Sequence, residues 1–291
     1  MVGSLALLLV VAACGGGDDS SGSTDGVATD GGGTTAAPDP STSGAGSDAG
    51  QPLFMITYEG GFSTPTLLAS LGPVYDVTTD GRLIYQGAIP EIFPGPLVPP
   101  YEVKDVADLL PDLQEILDRI GIADITEEIN DQAAGNVADA STTVLTYFDE
   151  NGTHRYGVYA LGFNPEAETS DPKVVALNDL MLTLQDASFS GDPGEPYSSD
   201  RWQVVQNGDF IPGGDTGLPE DVRPYPLEVA VADFEHTSFG LPCTVLEGAD
   251  AAAAAEVFGD ATQATVWDTG TEEIQLLPRP LLPGEVGCEN R

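Results

Sequence analysis

The sequence predicts an α+β protein: an antiparallel sheet with helices packed on one face, followed by a smaller disulfide-closed β-α-β-β unit. Three observations predict it. Alternating β-rich runs flank Asp80-Gly81 and Asn151-Gly152, dipeptides typical of tight hairpin turns. Two stretches opening near Pro111 and Pro172 carry apolar residues at helical spacing. Cys243 and Cys288 bracket a final strand, helix and two strands.

The chain opens with an apolar run, Leu5 to Ala13, that stops at Cys14. A run this short cannot span a bilayer, which takes about 20 residues. Its length suits the apolar core of an export signal, with small residues before the cleavage point. Val11-Ala12-Ala13-Cys14 resembles the lipobox of bacterial lipoproteins. The resemblance implies that the Cys14 thiol receives a diacylglyceryl group and becomes the mature N-terminus. Residues 1–14 are then a lipoprotein signal peptide, and the partner it implies is a lipid bilayer on the extracytoplasmic face of the cell membrane. Stable anchoring takes more than one acyl chain, which such a modification supplies. Met1 to Ser4 depart from the pattern by carrying no basic residue, which points to a translation start upstream of Met1 or misplaced there.

Residues 15–51 form the expected tether. Gly15 to Gly50 hold no aromatic residue and one branched aliphatic, Val27, too little to offset ordering entropy. A flexible chain of that length reaches roughly 30–36 Å. The reach matters because the protein has 47 acidic and 9 basic residues, a net charge of −38. Six of the acids lie in the tether, so 41 acids face all 9 basic residues in the body. Screening acts over about 8–10 Å at physiological salt, so the tether carries this charge clear of an anionic membrane surface. Nucleic acid is excluded as a partner, because binding phosphates needs a basic footprint. With only Lys104 and Lys173 as lysines, the charge reads as a solvated acidic surface.

The body reads as an α+β domain over 52–190 and a smaller one over 195–291. Leu53 to Tyr58 is the first expected strand. Pro73–Val77 and Arg82–Tyr85 pair through Thr79-Asp80-Gly81. A Pro-rich loop covers Pro90 to Pro100. Leu113, Ile116, Leu117 and Ile120 share one helical face, with Pro111 suited to the first turn and Gly121 to the end. TTVLTYFDENGTHRYGVYALG is the clearest hairpin. Asp171-Pro172 opens a second helix, with Val174, Leu177, Met181 and Leu184 along a stripe. The order β-β-β-α-β-β-α gives the one-sided α+β layer.

Glu195-Pro196 opens the second unit. Strands are expected at Trp202–Val205, Leu227–Val231 and Cys243–Leu246, a helix at Ala249–Phe258 stopped by Gly259, and a hairpin from Thr265–Asp268 to Glu272–Leu277. With Cys14 acylated, Cys243 and Cys288 remain in an oxidising compartment and are expected as one disulfide. No repeat of 20–50 residues is present. VYDVTTDGRLIY, the long hairpin and the segment from Cys243 to Cys288 resemble a group of secreted lipoproteins of high-GC Gram-positive bacteria, which implies location and no activity. The first unit, from FMITYEGGF onward, is similar to emfourin-type inhibitors of thermolysin-like proteases, which implies an inhibitory loop.

No motif carries a reaction. A nucleophilic triad needs a base beside the nucleophile, and the chain has two histidines. His154, near the hairpin turn, is expected to be exposed and structural. His236 has Asp233 and Glu235 beside it; these are hard metal ligands by type, yet acids are so frequent here that no metal is assigned. No nucleophile elbow, zinc-protease motif, phosphate-binding loop or complete calcium loop occurs. Trp202, Trp267, Tyr197 and Tyr225 either line a cleft or belong to core and rim; for Trp267, packing under its hairpin is expected. The expected function is therefore a non-enzymatic, membrane-anchored binding or scaffolding lipoprotein, with no cofactor and an unidentified protein or small-molecule partner. A protease inhibitor acting through Pro90–Pro100 and a solute-binding lipoprotein are the alternatives, with a hydrolase behind them.

Overall fold

A computed structural model describes residues 50–89, 91–133, 137–163, 171–211 and 221–288. The signal segment with Cys14, the tether up to residue 49, and Pro90 lie outside the described residues.

The first sheet has eight strands: β1 (Pro52–Gly60), β2 (Tyr75–Thr78), β3 (Arg82–Gln86), β4 (Tyr101–Asp105), β5 (Ile129–Gln132), β6 (Ser141–Asp149), β7 (Gly152–Tyr159) and β8 (Glu195–Pro196). Their order is β5-β7-β6-β1-β2-β3-β4-β8. All neighbours are antiparallel except β5 and β7. The turns follow the local chemistry. Gly81 takes φ +84 between β2 and β3, and its N–H donates to the Thr78 carbonyl at 3.0 Å. The β6–β7 turn sits one residue earlier than the sequence suggests: Gly152 pairs with Asp149, whose side chain accepts from the Asn151 and Gly152 N–H groups.

Period-two alternation divides this sheet into two buried faces. Phe54, Ile56, Val77, Leu83, Tyr85, Leu145 and Tyr156 meet α2 (Leu110–Ile120) and α3 (Pro172–Phe189). Asp171 caps α3 by accepting from the Lys173 N–H, and Gly121, left-handed at φ 67, closes α2. The helices therefore pack on one face, as the apolar stripes predict. The opposite face, with Met55, Asp76 and Ile84 in register, is also buried. There Ile84 and Tyr101 pack on Leu282, near the C-terminal end.

The rest of the body has a four-stranded sheet, order β11-β12-β9-β15, and a three-stranded one, order β10-β13-β14. These are β9 (Arg201–Gln206), β10 (Asp221–Pro224), β11 (Glu235–His236), β12 (Pro242–Glu247), β13 (Thr265–Asp268), β14 (Glu273–Ile274) and β15 (Leu276–Pro280). The helix after β12, labelled here α4, spans Gly248–Gly259. Phe258 stacks on Trp202 at 6.3 Å and meets Trp267 edge-on at 5.7 Å, making the centre of a second core. Two expected elements differ. Leu227–Val231 is no strand; prolines at 224 and 226 remove ladder donors, and a 3-10 turn follows at Val231–Asp233. The run after Thr269-Gly270 divides: Glu273–Ile274 stays in the hairpin, and Leu276–Pro280 crosses to the edge beside β9, where Pro278 and Pro280 are tolerated. A short helix, α1 (Pro65–Ser70), joins β1 to β2. The described residues all fall within one compact unit. Among the described residues no helix is long and apolar enough to cross a membrane.

Candidate functional site

Of the residues singled out in the sequence, Cys243 and Cys288 are joined as a disulfide, with Cα atoms 5.7 Å apart. Cys14 lies outside the described residues. Asp233, Glu235 and His236 are all exposed, on the 3-10 turn and on β11. Among the described residues no group of three His, Cys, Asp or Glu is placed to hold a metal ion. His154, expected at the surface, is instead 8 % exposed. Its Nδ1 lies 2.8 Å from the Ile125 carbonyl and its Nε2 3.1 Å from Asp149 Oδ1. The carbonyl of Ile125 and then the carboxylate of Asp149 raise its pKa. Burial follows from register, since His154 faces Tyr147 across the hairpin and the segment after α2 folds over both.

The Pro-rich loop is held at several points. The Gly87 N–H donates to the Pro100 carbonyl at 2.9 Å and closes its base. The Leu97 N–H donates to Ala261 and the Gln263 N–H to Gly95, both at 3.0 Å. Leu97 is buried in the second core. Outside these pins Ile89, Ile92 and Phe93 are 52 %, 68 % and 63 % exposed. The loop thus displays apolar side chains from a backbone that prolines and cross-links restrict.

A second concave region opens beside α1. Thr64 accepts from the Leu67 N–H, and Pro65 starts the helix. The Thr-Pro pair is a signal that could have located α1 from sequence. Its far end is tied to β9, where Gln203 Nε2 donates to the Ala69 carbonyl at 2.8 Å. A cavity of about 80 Å³ lies between Tyr58–Gly60, Leu68–Pro73, Gln203, Arg279 and Glu285. A neighbouring cavity of about 150 Å³ shares Tyr58 and Leu71 and ends on Pro99 and Tyr101. A third, of about 340 Å³, runs outward to Phe62 and Phe163. Tyr58, Phe62, Leu71, Phe163 and Phe239 leave this region with exposed apolar surface.

Beneath it Arg279 and Glu285 are paired in two prongs, and Gln203 Oε1 accepts from Arg279 Nη2 at 3.3 Å. Burial works against the Arg279 charge, but Glu285 outweighs it and holds the guanidinium protonated. Burial pushes the Tyr101 hydroxyl up to about 12; Arg279 opposes this and Glu285 adds to it. The same cause, burial, takes Tyr197 to about 12. These groups offer hydrogen bonds and shape, and none is an activated nucleophile.

A wider concavity, about 1200 Å³, is an open groove between β4, the end of α3 and the turn before β8. Both cations in its lining are engaged: Arg82 pairs with Asp80 at 3.1 Å, and Lys104 Nζ donates to the Ser188 and Ser190 carbonyls at 2.7 and 3.0 Å, capping α3. Compared with known protein families, curated proteins and solved structures, the chain shows no match.

Proposed function

We propose that this protein is a non-catalytic binding lipoprotein, held on the outer face of the cell membrane by a diacylglyceryl group on Cys14. The observation that carries the binding half is the pinned loop, which keeps Ile92 and Phe93 exposed while both of its ends are fixed. Large apolar side chains on a restrained backbone lose little entropy on docking, the property of an anchor residue. The net charge of −38 selects partners with an apolar pocket set in a basic surface. The anchoring half rests on the lipobox-like Val11-Ala12-Ala13-Cys14.

Cys14→Ser in the producing organism tests the anchor: release from membranes with a changed mature mass is expected, and retention at unchanged mass overturns it. Cross-linking on intact cells tests the binding. A specific adduct seen with the native chain is expected to vanish in Ile92→Ala/Phe93→Ala; an adduct that survives moves the contact elsewhere.

The same loop favours a second reading, a protease inhibitor. It expects near-stoichiometric slowing of a thermolysin-like protease that Phe93→Ala removes. Unchanged proteolysis at excess chain sinks this reading and leaves the first standing. The solute-binding alternative expects a deep cleft between lobes; two of the cavities beside α1, near 80 and 150 Å³, fall below the roughly 300–1,000 Å³ of drug-sized sites, whereas the third, near 340 Å³, and the open groove of about 1200 Å³ do not.

A further inference from the structure

The large sheet ends in an edge that its last strand covers only in part. The Tyr101 carbonyl accepts from the Tyr197 N–H at 2.8 Å, on the β8 side of β4. The Val106 N–H donates to the Gly81 carbonyl at 2.7 Å, on the opposite side. Successive residues of a strand turn their backbone groups to opposite sides, so Tyr101, Val103 and Asp105 all present N–H and C=O away from β3. Among the described residues, β8 pairs with Glu102 and Val103 only. Past Val103 the edge opens on the groove of about 1200 Å³, with Leu109 half-buried and Leu182 exposed in its wall. Asp105, Asp186, Asp192 and Glu195 are exposed around it. The two cations of the lining do not answer these four acids: Arg82 is paired with Asp80, and Lys104 is held by the Ser188 and Ser190 carbonyls.

We propose that this groove takes a short extended segment of a basic partner protein, bonded through its backbone to Asp105 at the open edge and through Lys or Arg side chains to Asp186, Asp192 and Glu195. Three features select that occupant. The volume exceeds the roughly 300–1,000 Å³ of small-molecule sites and suits a length of chain. The outward N–H and C=O of Asp105 offer one rung of a ladder, the main-chain contact by which extended peptides join a sheet edge. The charge is complementary to a cation and to nothing acidic. A second copy of this chain, itself at net −38, is repelled from the same edge, so the acids guard against self-pairing while admitting a basic strand. Side chains alternate along an extended segment, so apolar residues meet Leu109 and Leu182 while the residues between them reach the acids. The site goes beyond the loop-docking reading and does not rest on it, since Ile92 and Phe93 are not in its lining.

The probe is a blocked peptide of alternating valine and lysine, acetyl-VKVKVK-amide, added to the full-length chain as Cys14→Ser. Amide NMR at low salt should show saturable shifts at Lys104, Asp105 and Gly194, with a dissociation constant on the order of 0.1–1 mM. The Asp105 amide should exchange with solvent more slowly when the peptide is bound. Acetyl-VEVEVE-amide should not bind. The lysine peptide N-methylated at its two central residues keeps its charge but blocks both strand edges, and should bind about fivefold or more weakly. Asp186→Asn/Asp192→Asn/Glu195→Gln should weaken the lysine peptide about tenfold. Asp233→Asn/Glu235→Gln/Glu272→Gln removes as many exposed acids outside the groove and should change the affinity by no more than about twofold. The proposal is overturned if those amides show no saturable shift up to about 5 mM peptide, if the N-methylated peptide binds as well as its parent, or if the two triple variants weaken binding equally, which would mean diffuse attraction to an acidic surface. A loss of anchoring or of loop docking changes none of these readouts.

Discussion

Arg279 and Glu285, six residues apart, meet through two hydrogen bonds of 2.8 and 3.0 Å with each residue only 5 % exposed. Glu285 also accepts from the Leu282 N–H at 2.9 Å, so the pair fastens the turn that follows β15. Two charges this far from water are stable only together.

Glu285→Gln is accordingly expected to lower unfolding free energy by about 3–5 kcal/mol, because it strands a guanidinium. Arg279→Met combined with Glu285→Leu should recover most of that loss, since an apolar pair needs no desolvation of charge. Urea unfolding measures both. A single substitution that costs under about 1 kcal/mol, the range of a surface pair, would show the pair to be solvated.

His154 predicts a pH dependence. Its folded pKa is raised above 6.5, first by the Ile125 carbonyl and then by Asp149. A raised pKa means that the folded state holds the proton more tightly. The stabilisation is therefore complete below about pH 6.5 and disappears as pH rises through the folded value. Asp149 has the opposite sign: its bond to His154 lowers its pKa from 3.8, and that contribution disappears as pH falls through the folded value. The contribution of Asp149 lies at the acid end and that of His154 above it, so the two opposite signs separate along the pH axis. Histidine NMR should place His154 above 6.5, and His154→Asn should flatten the melting profile between about pH 6 and 8. A measured value at or below 6.5 refutes the assignment.

Cys243 and Cys288 close a segment that carries β12, α4 and β13 to β15. In the chain-entropy description a loop of about 46 residues contributes roughly 4 kcal/mol. Cys243→Ala/Cys288→Ala should lose about that much, with amide exchange rising first around Phe258 and Trp267. Equal stability of the reduced and oxidised chains would count against this role.

Added NaCl should raise the melting temperature. The net charge is −38, and surface pairs such as Arg119–Asp179 at 2.9 Å contribute little against it. Screening weakens like-charge repulsion more than it weakens those few pairs. A melting temperature that falls steadily from low to moderate salt contradicts the picture.

The legible parts of the fold are those whose information is local. Gly121 marks the end of α2 because only a residue tolerant of φ 67 closes it there, and Asp171 marks the start of α3 through its own side chain. Of the stripe Val174, Leu177, Met181 and Leu184, Met181 is half-buried and the other three are buried, as the spacing requires. No local signal divides the run from Glu272 to Leu277, because its split is set by β9, where Leu276 pairs with Gln206. The burial of His154 is not legible from the hairpin for a similar reason: the covering carbonyl comes from Ile125, outside it.

The amino-acid order by itself determined the acidic balance, the two long helices, the principal hairpins and the pairing of the last two cysteines. Each depends on composition or on contacts within a few residues. Only the tertiary structure decided which faces of the large sheet are covered, that Arg279 and Glu285 sit below α1, and that Tyr101 borders a cavity beside Gly72 and Pro99. The pairings of Gly72 with Tyr101 and of α1 with Arg279 join segments far apart in the chain. Burial and close packing are properties of neighbours in space, and no local pattern encodes which distant residues those neighbours are.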